Sequence, residues 1–143
     1  MKILLRLLPG LLLSLPALAG SPADTLRTPG GVQYVLRQPG AGKAAGPKGA
    51  VRVHYTGFLP DGKFFESSAT YGKPLRVRLG RGEVIPGWDE LLPLLPAGAR
   101  VWARIPAALA YGPGGQRDPD DETKYRIPPN TDLVFELEIV HVN

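Results

Sequence analysis

The chain has 143 residues, no cysteine, and 17 Lys and Arg against 13 Asp and Glu, for a formal charge of +4. This length accommodates one domain, and the missing cysteines exclude disulfides and thiolate chemistry. Lys2 and Arg6 lie in a leader that is expected to be removed, so the +4 falls to +2, too weak a charge to argue for nucleic acid as a partner.

Residues 1–19 read as a signal peptide. Lys2 and Arg6 make a basic start, residues 7–16 are mostly leucine, and Ala17-Leu18-Ala19 has the small-x-small pattern that signal peptidases cut. Arg6, Pro9 and Gly10 break the apolar run, which falls short of the roughly 20 residues that span a bilayer. No cysteine follows the cut to carry a lipid, and the ending His141-Val142-Asn143 is no retention signal. The expectation is export to the periplasm, with secretion as second choice, and no stable membrane anchor after cleavage. About 124 residues remain, enough to bury a core without staples.

Residues 20–30 are rich in Gly, Pro, Ser and Thr and read as a mobile lead-in to a domain over 31–143. Val32 to Arg37 alternates apolar with polar and predicts a strand with Val32, Tyr34 and Leu36 inward. The 39–49 loop has glycines and lysines but lacks the rest of a phosphate-binding loop. Val51, Val53 and Tyr55 alternate with Arg52, His54 and Thr56, the clearest strand in the chain. Asp61-Gly62 signals a reversal into a return strand from Phe64 that breaks at Ser67 and Ser68. Leu75, Val77 and Leu79 alternate with Arg76 and Arg78 as another half-buried strand.

One helix interrupts the strands. Trp88, Leu91, Leu92 and Leu95 follow the i, i+3, i+4, i+7 rule, with Asp89 and Glu90 in the first turn where the helix dipole favours acids. Pro93 lacks the donor an intrahelical bond needs, so the helix should be short or kinked. Val101, Ala103 and Ile105 then alternate with Trp102 and Arg104. Residues 106–130 read as one long loop with an acidic run, and Leu133, Phe135, Leu137 and Ile139 mark a long closing strand. The pattern predicts an α+β domain, an antiparallel sheet covered on one face by a single helix. Arg52, Arg76, Arg78 and Arg104 fall on its solvated side.

Ordinary catalytic apparatus is missing from this pattern. His54 and His141 lie far apart and read as surface imidazoles, and neither has a serine or acid in a suggestive local motif. What remains is binding, or a reaction that needs only a shaped apolar cavity. Tyr55, Phe65, Trp88, Tyr111 and Phe135 come from five separate segments, and each taken singly reads as core.

Their company is more specific. His-Tyr-Thr-Gly at 54–57, Asp-Gly-Lys-Phe-Phe-Glu-Ser-Ser at 61–68, Val-Ile-Pro-Gly-Trp-Asp at 84–89, Leu-Ala-Tyr-Gly at 109–112, Ile-Pro-Pro-Asn at 127–130 and Leu-Val-Phe-Glu-Leu-Glu at 133–138 together resemble the FKBP-type peptidyl-prolyl cis-trans isomerases. The resemblance runs in order from about Gly31 to Val142. It implies a five- to six-stranded antiparallel sheet wrapped around one short helix, with the active site between them. It implies no cofactor, no metal and no covalent step.

By the same resemblance, Trp88 is the platform under a prolyl ring, with Tyr55, Phe65 and Phe135 as walls. The Ile85 N–H and the Tyr111 hydroxyl hold peptide carbonyls, Glu66 orients, and Val84 and Ile127 complete the apolar rim. Leu75 stands where many members have phenylalanine, and Glu66 where aspartate is common. The 112–126 loop is longer and more acidic than in the minimal family domain and reads as a solvated insertion. The implied partners are proline-containing unfolded polypeptides and immunosuppressant macrolides, and nothing supplies a dimerisation element, so a monomer is expected. Two rivals use the same residues or the same fold: a holdase that binds apolar segments without turnover, and a structural or adhesive β-domain that binds no macrolide.

Overall fold

The computed structural model describes residues 24–143, so the leader and cleavage site lie outside the described residues. Seven strands form one antiparallel sheet: β1 (Thr25–Arg27), β2 (Gln33–Pro39), β3 (Ala50–Phe58), β4 (Phe64–Ser67), β5 (Leu75–Arg78), β6 (Ala99–Ile105) and, last in the chain, the closing strand Leu133–Val142. Two short strands, β7 (Gln116–Arg117) and β8 (Tyr125–Ile127), pair separately as a hairpin, which makes the closing strand β9. The order across the sheet is β1-β2-β6-β9-β3-β4, with β5 also on β3. Since β4 pairs with Thr56 to Phe58 and β5 with Ala50 to Val53, the two share one edge of β3 and the sheet is six positions wide.

Alternation holds where it was strongest. Val51, Val53 and Tyr55 on β3, Val101, Ala103 and Ile105 on β6, and Leu133, Phe135, Leu137 and Ile139 on β9 are all buried on one face. Arg52, Arg76, Arg78 and Arg104 are exposed, as expected of the solvated side. β9 lies between β3 and β6, so the longest strand is central.

The helix α1 (Pro86–Leu91) is six residues long and passes into a 3-10 turn at Leu92–Leu94. Pro86 sits at its first position, where a missing N–H costs nothing. Pro93 falls in the 3-10 turn, so the helix ends before the ring would disrupt it. Trp88, Leu91, Leu92 and Leu95 are buried together against the sheet. Gly87 permits this approach, since a Cβ there would lie 2.5 Å from the Ile105 side chain. Asp89 does more than meet the helix dipole: its carboxylate accepts from the Gly80 and Gly82 N–H groups at 3.0 and 3.1 Å, fixing the loop that enters the helix.

Three expectations need correction. The lead-in is ordered from Thr25: Thr25 to Arg27 pair with Val35 to Gln33, and buried Thr28 accepts from the Val32 N–H at 3.1 Å. Leu36 is 40% exposed although it pairs in register with buried Val101, on the same face as Tyr34, so the core does not cover this end of β2. The 106–130 segment is no plain loop. Turns at Ala107–Leu109 and Gly112–Gly114 lead into the β7–β8 hairpin, and Asp132 ties the segment to the sheet through the Ala107 N–H at 2.9 Å and Arg104 at 3.0 Å. Among the described residues no helix is long and apolar enough to cross a membrane.

Candidate active site

Four rings meet beneath the helix. Trp88 stands edge-on to Tyr55 and to Phe135, with ring centres 5.1 Å apart in each case, and Phe65 is edge-on to Phe135 at 5.7 Å. Tyr55 and Phe135 complete the group at 6.5 Å. These are the spacings at which aromatic quadrupoles attract. The rings come from β3, β4, α1 and β9, so neighbouring strands and the one helix are all needed to assemble them.

Gly57 makes the assembly possible and has no role in the expectation from sequence. It lies opposite Phe135 on β9 and Glu66 on β4, and a Cβ would sit 2.5 Å from the Phe65 ring and 2.8 Å from the Phe135 ring. No real side chain tolerates both approaches. The glycine is where the aromatic wall closes over the sheet.

The rim carries the polar groups. Phe65, Glu66, Val84, Ile85 and Tyr111 are half-buried, and all but Glu66 pack against the core cluster. The Ile85 carbonyl accepts from the Trp88 and Asp89 N–H groups, while among the described residues no backbone acceptor takes the Ile85 N–H. Glu66 faces the Tyr55 hydroxyl, and Arg126 reaches Glu66 at 3.5 Å.

Burial holds the Tyr55 phenol protonated well above its usual range near 10, and the adjacent Glu66 reinforces this by charge and hydrogen bonding. Tyr111 is raised for the same leading reason, then by Glu66, while Arg126 and Gln116 work the other way. Below about pH 10 both phenols stay neutral whether the chain is folded or not, so they give no pH dependence. Above it the unfolded chain releases protons that the folded chain keeps, which favours unfolding. The melting temperature is therefore expected to fall above about pH 10, and to fall less steeply in Tyr55→Phe. An equally steep decline in that variant would contradict the burial argument.

A family model for the FKBP-type peptidyl-prolyl cis-trans isomerases matches residues 42–140. The chain belongs to this family. It is 40% identical over 115 residues to FK506-binding protein 1 of Candida glabrata, covering 80% of this chain and 95% of that protein. Outer membrane protein MIP of Legionella longbeachae is 40% identical over 114 residues, which cover 80% of this chain and 45% of the relative. The crystal structure of a peptidyl-prolyl cis-trans isomerase from Pseudomonas syringae superposes with a TM-score of 0.73 at 36% identity, over 86% of this chain and 83% of that one. FkpA from Escherichia coli gives 0.72 at 38%, over 84% and 52%. The protein is thus an FKBP-type isomerase, with the sheet and short helix of that fold.

Not every expected site residue of this FKBP-type domain joins the cluster. Tyr55, Phe65, Trp88 and Phe135 meet ring to ring, Glu66 interacts with Tyr55 and Tyr111, and Val84 and Ile85 pack against the same core cluster. Leu75 lies on edge strand β5, 39% exposed and outside the packed group. Ile127 is completely buried, so it supports the rim from beneath instead of forming it. The floor is well covered, with Trp88 and Phe135 4% exposed and Tyr55 7%, and the accessible part of the site is its half-buried rim. An open groove of about 440 Å³ lies across the sheet's other face, between Arg37, His54, Arg100, Trp102 and Glu136. His54 is also more than a surface imidazole, since its Nδ1 is 2.9 Å from the hydroxyl of buried Ser68.

Proposed function

We propose that this FKBP-type isomerase accelerates X-Pro isomerisation in exported proteins as they fold, using the Tyr55, Phe65, Trp88 and Phe135 rings as its prolyl site. The observation that carries the reading is the convergence of those four rings, from four elements, at 5.1–6.5 Å. Rotation about a prolyl bond crosses a barrier of roughly 18–20 kcal/mol because amide resonance is lost midway. At the twisted state the carbonyl gives up charge separation. A water-poor aromatic surface disfavours the planar, polar amide relative to the twisted one, and that difference is catalysis.

Tyr55, Phe65, Glu66, Trp88, Tyr111 and Phe135 act on the prolyl segment directly, with Val84 and Ile85 at its edge. The Ile85 N–H and the Tyr111 hydroxyl hold carbonyls of the peptide. Neutral phenols suit this role, because Tyr111 donates only while it keeps its proton. Entry is from the half-buried rim of Phe65, Val84, Ile85 and Tyr111. No proton moves.

The leader at residues 1–19 supports export to the periplasm, and a relative named for the outer membrane is in keeping with it. The mature chain acts as a monomer, without a membrane anchor. The relatives named for FK506 favour a macrolide occupying the same site.

The test is turnover of a proline tetrapeptide by the purified mature chain, with and without FK506. Accelerated isomerisation that the macrolide abolishes is expected. Tight macrolide binding without turnover would instead leave a holdase.

A further inference from the structure

The β7–β8 hairpin meets the site at three side chains: Gln116 beside Tyr111, Ile127 buried under the rim, and Arg126. Arg126, on β8, donates from a terminal nitrogen to the Phe65 carbonyl at 3.0 Å and reaches the Glu66 carboxylate at 3.5 Å. Its guanidinium carbon lies 6.0 Å from the Phe65 ring centre. Arg126 and Glu66 are each 27% exposed, so the pair is shielded more than an ordinary surface ion pair. Among the described residues nothing comparable holds the hairpin tip. The Asp118 and Asp121 carboxylates accept from the Asp120 and Thr123 N–H groups at 2.9 and 3.0 Å, and Arg117 stacks on Tyr125 at 4.0 Å, so these contacts stay within the hairpin.

The consequence concerns Glu66. Its carboxylate interacts with the Tyr55 hydroxyl and lies 3.5 Å from Arg126. A glutamate has three rotatable side-chain bonds, and a half-buried one without a fixed partner spreads over several rotamers. The planar guanidinium restricts it, and the same group pins the carbonyl of the residue that carries the Phe65 ring. Phe65 and Glu66 thus share one external tether from a segment far away in sequence.

We infer that Arg126 is a positioning residue for isomerisation: it latches the 116–127 hairpin to β4 and holds Glu66 against Tyr55 and Phe65 against Phe135. This rests on the prolyl-site reading above, since Phe65 and Glu66 matter only if that cluster is the site. The role differs from packing in a measurable way. An arginine that merely filled space would act independently of Glu66, whereas a latch acts through it.

The experiment is a double-mutant cycle in the mature chain, reading kcat and KM on a proline tetrapeptide together with urea midpoints. Arg126→Met is expected to lower kcat/KM about five-fold in the otherwise native chain, but less than two-fold in a Glu66→Ala background. Arg126→Lys keeps the charge without the planar fork and should lose about two-fold. Urea midpoints should show the same sign of coupling. Equal losses with and without Glu66, or no loss at all, would overturn the assignment. Phe65→Ala is measured alongside: full activity in that variant would remove the prolyl-site reading, while the urea cycle would still decide whether the latch exists.

Discussion

Phe65→Ala is expected to lower kcat/KM for a proline tetrapeptide about 100-fold, while Glu66→Gln costs at most about ten-fold. The ordering follows from what each side chain can do in the twisted state. A 100-fold loss is about 2.7 kcal/mol, the magnitude of burying one large apolar side chain against a ligand. Phe65 is the ring best placed to supply that, because it is half-buried at the rim and has its inner edge against Phe135. Glu66 is half-buried, and it interacts with a phenol that keeps its proton far above neutral pH. No transfer between them is available to accelerate anything. In Glu66→Gln the side-chain amide oxygen would still accept from Tyr55, so only the charge pairing with Arg126 would go. If Glu66→Gln proved the more damaging change, with the fold intact by circular dichroism, proton chemistry would have to replace the apolar-cavity mechanism.

How far the primary structure disclosed this arrangement depends on the range of the interaction that sets each feature. Period-two alternation placed Val51, Val53 and Tyr55, and Leu133 to Ile139, on the buried face, because a strand's pleat is local. The helix was legible for the same reason, down to its early end before Pro93. The pairing of Thr25 to Arg27 with β2 was not, since an edge strand of three residues carries too little pattern to stand out from a Gly- and Pro-rich segment. Leu36 failed for a different reason: it lies on the inward face opposite Val101 yet stays exposed, and how much of a face the core covers is decided by tertiary packing.

The site divides along the same line. The resemblance carried by the separated motifs implied that the four rings and the Ile85 and Tyr111 groups share one site. It could not show that Ile127 is sealed or that Leu75 stands apart. Those are results of packing. Gly57 and Arg126 were invisible for a further reason: one acts by lacking a side chain, and the other gains its meaning from a hydrogen bond to a residue 61 positions away.

Trp88→Ala is expected to destabilise the fold by about 3–5 kcal/mol, enough to leave much of the chain unfolded near physiological temperature. The indole is the keystone between α1 and two strands, touching Tyr55 and Phe135 edge-on at 5.1 Å, so its removal opens a cavity that neither ring can fill without leaving its own strand. Activity measured on that variant would conflate an empty site with an unfolded one. Trp88→Phe separates the two. The Trp88 Nε1 is buried with no hydrogen-bond partner, a donor whose desolvation costs about 1–3 kcal/mol. Phenylalanine gives up part of the packing area but also removes that unpaired group, so the urea midpoint should fall far less than in Trp88→Ala. The smaller ring still offers a flat apolar floor, and turnover should drop about ten-fold, with KM rising. A Trp88→Phe variant as unstable as Trp88→Ala would mean that the indole N–H is satisfied in solution. A stable Trp88→Phe with unaltered turnover would mean that the prolyl ring rests elsewhere.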